Sequence, residues 1–403
     1  MKSRLFVCST QFQVIAMLCL MHNKSQDFTT KANDVVLESI RPHHDEWATV
    51  LRKSGFFRHV YVINKGTNFT PLCIHKRLLL SRILRGKIHI TWKQLYRAFS
   101  NKYDDYVQEE IKTNNKDHLP FRLIEYDEYF VASLKSFGIE LELCFHALNA
   151  KTFVYDEGVG SYAGCVWENH VTPEAIYLFN ADLISTKFET RAIESLSNLT
   201  RTPLLETIRD EFNIKPGSMP DFVFFDQWLG MPCGDDSNVS QGWQQSDFIT
   251  KKANILKSIG ASVGEGQFGI KLHPTSCNPE VLAFYKHEKL EILSDNNGIP
   301  FELLLTVTTK KPKCLLTIFS SAVITPLTLG IDSDMKAIIL WKLFKNDKAF
   351  EYYTRNNAIS VFFEKVRRKY PNNVYIPESQ EELIDILSSK SLTEHSVAKH
   401  PVN

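Results

Sequence analysis

The chain has 403 residues, of which 43% are hydrophobic and 23% charged, and its formal net charge at pH 7 is +1. This composition is typical of a folded globular protein, and the length exceeds what one hydrophobic core usually supports, so two domains are expected. A net charge near zero offers no general attraction for nucleic acid or acidic membranes. Nucleic acid is therefore not an expected partner.

The eight cysteines contain no C-x-x-C pair and no histidine at zinc-ligand spacing. Several, such as Cys314, lie in apolar runs, where a reduced thiol acts as a small core residue. We therefore expect a reducing cytoplasmic compartment and no metal site. The D-x-D triplet from Asp332 to Asp334 follows Gly330 in a predicted loop and is not expected to bind a metal.

The first 22 residues have a basic start followed by apolar residues, as a secretory leader has. The apolar run is interrupted by Ser9, Thr10, Gln11 and Gln13, and no small-residue cleavage site follows. The segment is instead predicted to form a short strand, a polar turn and a helix from about Phe12. No other apolar run approaches the roughly 18–20 residues that span a bilayer.

Short runs rich in Val, Ile and Phe alternate with helical patterns along the chain. Strands are predicted at 4–9, 34–39, 59–64, 151–156, 221–226, 268–273, 314–320, 336–340 and 373–377. Helices are predicted at 45–55, 109–115, 190–199, 249–260 and 349–370. Continuous apolar strands alternating with helices predict an α/β fold with parallel sheets.

One domain boundary is predicted where Pro216, Gly217 and Pro220 punctuate residues 213–222. The resulting domains are 1–215 and 216–388, followed by a polar tail at 389–403.

Polar clusters follow four of the predicted strands, at the carboxyl ends where open α/β sheets bind ligands. They are Ser9-Thr10-Gln11, Asp156-Glu157-Gly158, His273-Pro274 and Ser320-Ser321. Turns favour Asp, Gly and Ser for backbone reasons alone, so each cluster taken singly is compatible with a structural role. Their joint placement indicates a functional site.

Asp156 and Glu157 form the most unusual of these clusters. Two adjacent carboxylates that share a pocket raise the pKa of at least one, which is what a general base requires. The alternative is a structural role in capping the N–H groups at a helix start. Gly158 and Gly160 indicate a close approach of the backbone to a ligand.

His273 and the serine pair are both suited to a phosphate. Pro274 biases His273 towards extended geometry, so the imidazole is directed off the sheet edge, where it can donate to a phosphate. A lone histidine is more often an ordinary core or surface residue. Ser320 and Ser321 offer hydroxyls, with backbone N–H groups if a helix starts at Ala322; the alternative is a plain serine cap.

Taken in this order, the motifs resemble those of bacterial sialyltransferases, and most closely glycosyltransferase family 52, the lipooligosaccharide sialyltransferases. The turn "CSTQFQ" is similar to the family's C-x-T-P-L-Q-like turn, keeping Cys8, Thr10 and Gln13 but with Gln11 where proline is common. Asp156-Glu157-Gly158 resembles the family's D/E-D/E-G motif, and His273-Pro274 resembles its H-P motif. Capsular polysialyltransferases of family 38 share the same motif set.

Two further segments carry the resemblance in the second half of the chain. "PFELLL" resembles the family segment in which a glutamate, here Glu302, contacts the nucleotide ribose. "TIFSSAVIT" resembles the family's serine segment, with Ser320 as the matching residue and Ser321 where glycine can occur.

The resemblance implies a GT-B fold, with two Rossmann-like domains facing a central cleft, and metal-independent inverting transfer of sialic acid from CMP-sialic acid to a sugar hydroxyl of a bacterial lipooligosaccharide or capsule. It implies an acceptor-side N-terminal domain and a nucleotide-sugar-binding C-terminal domain, with no cofactor. Residues implied to bind the nucleotide sugar are His273, Pro274, Glu302, Ser320, Ser321, Gly158, Thr10 and Gln13. Glu157 is the expected base, oriented by Asp156. Asp226 is the second candidate, because in some family members the base is an aspartate after the first strand of the C-terminal domain.

The basic stretch at 75–93 has two interpretations. It is either a helix with a solvated cationic face, or a contact with anionic lipid headgroups or an anionic acceptor glycan. The second would suit a peripheral enzyme on the cytoplasmic face of the inner membrane. Other functions left open are a GT-B hexosyltransferase with a different donor and a non-catalytic nucleotide- or glycan-binding protein.

Overall fold

The structure is a computed structural model. It describes residues 3–38, 43–63, 119–132, 150–163, 172–184, 190, 192–196, 203–215, 217–226, 246–272, 279–293, 299–347 and 357–389. The chain divides into two compact units, Met1–Asn213 and Ile214–Asn403.

A parallel sheet forms the centre of the first unit. Its described strands are β1 Ser3–Cys8, β2 Asn33–Glu38, β3 His59–Ile63, β4 Tyr126–Val131, β5 Lys151–Tyr155, β6 Ala175–Leu178 and β7 Ile193–Ser195, in the order β3-β2-β1-β4-β5-β6-β7. Its described α-helices are α1 Gln11–Asn23, α2 Ser25–Phe28, α3 His44–Lys53, α4 Val159–Ala163 and α5 Pro203–Glu211, with 3₁₀ turns at Leu123–Glu125 and Ala181–Leu183.

A second parallel sheet forms the centre of the other unit. Its described strands are β8 Phe222–Phe225, β9 Phe268–Lys271, β10 Cys314–Thr317, β11 Lys336–Ile339 and β12 Val374–Tyr375, in the order β12-β11-β10-β8-β9. The described α-helices are α6 Ser246–Val263, α7 Pro279–His287, α8 Phe301–Val307, α9 Thr325–Thr328, α10 Asn357–Lys369 and α11 Gln380–Ser388. Short 3₁₀ helices lie at Ser321–Val323 and Trp341–Phe344.

Both sheets have doubly wound strand orders. In the first, the order reverses between β1 and β4, as in dinucleotide-binding domains; in the second, it reverses between β8 and β10, as in flavodoxin-like domains. The crevice at the carboxyl ends of such strand pairs is where these folds bind ligands. The α/β class and the pair of Rossmann-like parallel sheets are therefore confirmed.

Burial explains why these strands could be predicted from the sequence pattern. Every residue of β1, β8, β9 and β10 is buried, and most of these residues are apolar, as parallel strands between helix layers require. The polar or charged exceptions are Ser3, Arg4, Lys271 and Thr317. All nine predicted strands are present, although the strand predicted at 314–320 ends at Thr317. Helix α1 is buried on nearly all sides. None of the helices in the described residues is long and apolar enough to cross a membrane.

Three strands were not predicted, and one of them lies in the middle of a sheet. β4 pairs with β1, yet its sequence carries Asp127 and Glu128. The side chain of Lys31 pairs with both carboxylates, at 3.0 and 2.7 Å, and Arg4 Nε lies 2.6 Å from Glu128. These ion pairs neutralise the two carboxylates of β4. The same carboxylates interrupt the apolar pattern by which the other strands were predicted.

The helix predicted over 190–199 is wrong where the structure describes this segment. Ile193–Ser195 is strand β7, which pairs in parallel with β6. Backbone pairing with a neighbouring strand overrides a weak helical pattern, because strand formation depends on context more than on intrinsic preference. The predicted helices at 45–55 and 249–260 correspond to α3 and α6, whereas that at 109–115 lies outside the described residues.

Candidate functional site

The turn after β1 starts helix α1 with a threonine cap. The Thr10 hydroxyl accepts a hydrogen bond from the backbone N–H of Gln13 at 3.2 Å. This is the usual chemistry of an N-cap, which satisfies an otherwise unpaired donor in the first turn. Thr10 thereby fixes the backbone of Gln13 in the first turn of α1.

Gln13 connects this turn to the acidic turn that follows β5. Its Oε1 accepts from the backbone N–H of Ser9 at 2.6 Å, and its Nε2 donates to Glu157 Oε2 at 3.1 Å. Gln13 is only 3% exposed. Two motifs whose residues Gln13 and Glu157 are 144 positions apart in the chain thus form one cluster at the carboxyl edge of the first sheet.

Glu38, at the end of β2, extends the cluster by one strand. The hydroxyl of Ser9 donates to Glu38 Oε2 at 2.8 Å. Sequence reasoning identified Ser9 but missed Glu38, although its position at the end of a predicted strand was a usable signal. Two carboxylates, Glu38 and Glu157, are thus linked to the same turn.

Asp156 is enclosed by hydrogen-bond donors. Its carboxylate accepts from the backbone N–H groups of Gly158, at 2.7 Å, and Phe179, at 3.1 Å, and from the Tyr162 hydroxyl. Burial raises the pKa of Asp156 and these three hydrogen bonds lower it. Burial has the larger effect, and the resulting pKa is about 6. Gly158 has a φ of +103°, a conformation that side chains disfavour. Asp156 therefore shapes the turn that presents Glu157.

Asp226 follows β8 at the switch point of the second sheet. Its Oδ1 lies 3.0 Å from Lys252 Nζ on α6, and both side chains are almost fully buried. The Lys252 ammonium also lies 5.4 Å from the ring centroid of Tyr285. Burial, reinforced by the negative charge of Asp226, raises the pKa of Tyr285 well above its usual range.

Lys252 was not identified from the sequence, although a signal existed. Phe248, Ile255 and Ile259 are buried on α6, and Lys252 lies four residues after Phe248 and three before Ile255. This spacing places the lysine on the apolar face of the helix. A lysine at such a position needs a buried acidic partner.

The serine motif caps a 3₁₀ helix after β10. Ser320 Oγ accepts from the backbone N–H of Ala322 at 3.3 Å, and the helix begins at Ser321, one residue earlier than predicted. Thr317 Oγ1 accepts from the backbone N–H of Ser320 at 3.0 Å and so closes the turn. Ser320 thus acts as a helix cap, and its turn follows β10, which pairs with β8, the strand that leads to Asp226.

Glu302 lies close to this serine motif. It is buried in the first turn of α8, and burial raises its pKa, whereas a hydrogen bond with Thr325 and the positive charge of Lys271 lower it. The Thr325 hydroxyl also donates to the carbonyl of Ser321 at 2.9 Å. Thr325 therefore lies against both Glu302 and the serine turn.

His273, Pro274 and the basic stretch at 75–93 lie outside the described residues. Within the described residues, no group of three or more His, Cys, Asp or Glu side chains is arranged to hold a metal ion. The Asp332 side chain accepts from the backbone N–H groups of Asp334 and Met335, at 3.0 and 3.2 Å, which is the chemistry of a turn.

No family model matches the chain. No curated protein sequence is significantly similar to it.

Solved structures with a similar fold cover nearly the whole chain at low identity. UGT89C1 of Arabidopsis thaliana in complex with UDP is 13% identical, covering 99% of this chain and 92% of its own, with a TM-score of 0.46. The GT-B domain of a Photobacterium damselae sialyltransferase is 9% identical, covering 94% and 100%, also with a TM-score of 0.46. A Listeria monocytogenes protein described as a UDP-N-acetylglucosamine 2-epimerase is 12% identical, covering 97% and 90%, with a TM-score of 0.43. Similarity at this level leaves the activity to be argued from the residues of the chain itself.

Proposed function

We propose that the chain is a GT-B glycosyltransferase that transfers sialic acid from CMP-sialic acid to a sugar hydroxyl of a bacterial surface glycan. The observation that carries the proposal is the hydrogen bond between Gln13 and Glu157. It joins two motifs of the family 52 resemblance that the sequence could place only separately. Ligand-binding crevices of doubly wound sheets lie at this carboxyl edge.

In this mechanism Glu157 acts as the base. Its carboxylate accepts the proton of the acceptor hydroxyl while that oxygen forms a bond to the anomeric carbon of sialic acid, and the bond from that carbon to the CMP phosphate oxygen breaks. Attack opposite the leaving group inverts the configuration. Asp156 maintains the turn, since its oxygens already accept three hydrogen bonds within the chain.

The second unit supplies the donor side in this proposal. Ser320 and Ser321 would bind the phosphate of CMP and Glu302 the ribose, with His273 neutralising the leaving phosphate. Each of these roles is carried over from the family resemblance. The contact of Thr325 with both Glu302 and Ser321 supports their assignment to one subsite.

Asp226 is the weaker candidate for the base. Its carboxylate is buried, and one of its oxygens already pairs with the Lys252 ammonium group, 3.0 Å away.

The test is mass analysis of products formed from CMP-sialic acid with a lactose-type acceptor and with an oligosialic acceptor. Addition of one or more sialic acid residues, unaffected by a metal chelator, is expected. The same experiment separates single transfer from polymer formation. Thermal-shift measurements with CMP, UMP and UDP test the donor directly. Stabilisation by UDP without stabilisation by CMP would overturn the sialic acid assignment in favour of a hexosyltransferase.

A further inference from the structure

We propose that Gln13 is a positioning residue that orients the Glu157 carboxylate and holds it in its ionised form. The inference rests on the proposed function, in which Glu157 is the base, and it changes the role of Gln13. The resemblance implied a contact with the nucleotide sugar, whereas in the structure both ends of the amide bind groups of the chain itself.

The orientation of the amide follows from its partners. The backbone N–H of Ser9 can only donate, so the amide atom 2.6 Å from it must be the oxygen. The amide nitrogen then faces Glu157 at 3.1 Å. The side chain cannot rotate this donor away from the carboxylate without losing the bond to Ser9.

The position of Gln13 is itself fixed from two directions. The Thr10 cap accepts from its backbone N–H at 3.2 Å, and its side chain is buried. A donor held in this way towards a carboxylate favours the charged form, which is the form that can accept a proton. It also restricts the rotamers of Glu157 before any substrate binds.

Other titratable groups surround this pair on four elements of the first unit. They are Cys8 at the end of β1, Glu38 at the end of β2, Tyr155 and Asp156 at the end of β5, and Tyr162 on α4. Burial raises the pKa of Cys8 to about 12 and keeps Tyr155 and Tyr162 neutral in the working range. Burial also raises the pKa of Asp156 to about 6, so it ionises near neutrality. An experiment on the protonation of Glu157 must therefore follow a signal that comes from the Glu157 side chain itself.

The experiment follows the ¹³C chemical shift of the glutamate side-chain carboxyls with pH, and the Glu157 signal is identified by its loss in Glu157→Gln. Gln13→Met removes the donor at nearly constant volume, and Gln13→Glu places a like charge beside the carboxylate. Both changes disfavour the ionised form, so the Glu157 titration is expected to move upward, by about one pH unit or more for Gln13→Glu.

Gln11 is the matched control. It is buried on the same helix, but its side chain accepts from Trp47 Nε1 at 3.0 Å. Gln11→Met is expected to leave the Glu157 titration where it is. An unchanged titration in both Gln13 variants, or an equal shift in Gln11→Met, would overturn the proposal.

A second measurement uses the wild-type Gln13 side chain and does not depend on the folding of the Gln13 variants. The ¹⁵N–¹H signals of the Gln13 amide are expected to titrate with Glu157 in the wild-type protein and to stop titrating in Glu157→Gln. Absence of this coupling would overturn the proposal as well.

Activity provides a separate readout. The acid limb of the kcat profile is expected to move with the Glu157 titration in the Gln13 variants, while KM changes little. A shifted titration in a protein that transfers nothing from CMP-sialic acid would uphold the Gln13–Glu157 pair and reject the proposed function.

Discussion

The ammonium group of Lys252 lies 3.0 Å from the carboxylate of Asp226, and the two side chains are 2% and 3% exposed. The pair connects the middle of helix α6 to the end of strand β8, at the point where the strand order of the second sheet reverses. Burying a single charge away from water lowers the stability of the folded state, and a buried partner of opposite charge offsets much of that cost.

Lys252→Met is expected to destabilise the fold by about 3–5 kcal/mol, because it leaves the buried Asp226 carboxylate without a counter-charge. Urea unfolding followed by tryptophan fluorescence measures the change. Adding Asp226→Asn to Lys252→Met should restore much of the stability, since no buried charge then remains.

The neighbouring Lys251 is the control for this prediction. Its ammonium pairs with Asp347 at 2.8 Å, but its side chain is 41% exposed. Lys251→Met should cost no more than about 1 kcal/mol, as exposed ion pairs generally do. Equal costs for the two lysines would show that burial of the pair has no energetic consequence.

Stability should fall as pH rises through the titration of Asp156. Burial raises the folded-state pKa from 3.8 to about 6, so the folded state binds the proton more tightly than the unfolded chain. The unfolding free energy therefore loses this contribution between pH about 4 and about 6. Because Asn does not titrate, the difference between Asp156→Asn and the wild type should move in favour of the variant across that window, as measured by urea unfolding at several pH values.

Asp221 provides a control of opposite sign. Burial raises its pKa, but hydrogen bonds from Lys310 and Lys313 outweigh burial and hold it below the usual value. Its contribution is present above pH about 4 and is lost as the pH falls further. The disadvantage of Asp221→Asn should therefore shrink under acid conditions. If the stability difference between variant and wild type changed with pH in the same direction for Asp156→Asn and Asp221→Asn, the environments assigned to the two aspartates would be contradicted.

Glu157→Gln is expected to lower kcat by about 100-fold or more without unfolding the protein, because the amide cannot accept the proton of the acceptor hydroxyl. Transfer rates at saturating CMP-sialic acid measure the effect. The comparison is the double variant Asp226→Asn, Lys252→Met, which removes the other candidate carboxylate without leaving a buried charge. A near-normal rate for Glu157→Gln together with an inactive double variant would assign the base to Asp226.

Ser320→Ala is expected to reduce both stability and CMP binding. It removes the cap that accepts from the Ala322 N–H at 3.3 Å, at a cost of about 1 kcal/mol. It also removes a proposed phosphate ligand, so the thermal shift produced by CMP should become smaller.

Ser379→Ala separates the two effects. Ser379 caps α11 in the same manner, accepting from the Glu382 N–H at 3.2 Å. A similar loss of stability with an unchanged CMP shift is expected. If both serine variants reduce the CMP shift equally, Ser320 has no specific role in binding.

Much of the architecture could be predicted from the sequence, because the features involved are local. Buried parallel strands must be apolar on both faces, and the runs that became β1, β8 and β10 are visible without knowledge of their neighbours. Such strands end in turns, so the polar residues at their carboxyl ends could be identified as candidates. Thr10 and Ser320 act as caps in the way that their residue types suggest.

Charged strands and edge strands could not be predicted in this way. β4 lies beside β1 because Arg4 and Lys31, from other parts of the chain, neutralise its carboxylates. β7 is a strand because the edge of β6 is available for pairing. Both outcomes depend on partners that are distant in sequence.

The sequence by itself determined that Asp156 and Glu157 follow a buried strand, but it could not divide their roles. The tertiary structure encloses Asp156 among Gly158, Tyr162 and Phe179 and turns Glu157 towards Gln13. The same holds for Asp226, whose buried partner Lys252 lies on another element. Residue types and strand ends are encoded locally, whereas the protonation and orientation of a carboxylate depend on donors and charges that only the folded chain brings within hydrogen-bond distance.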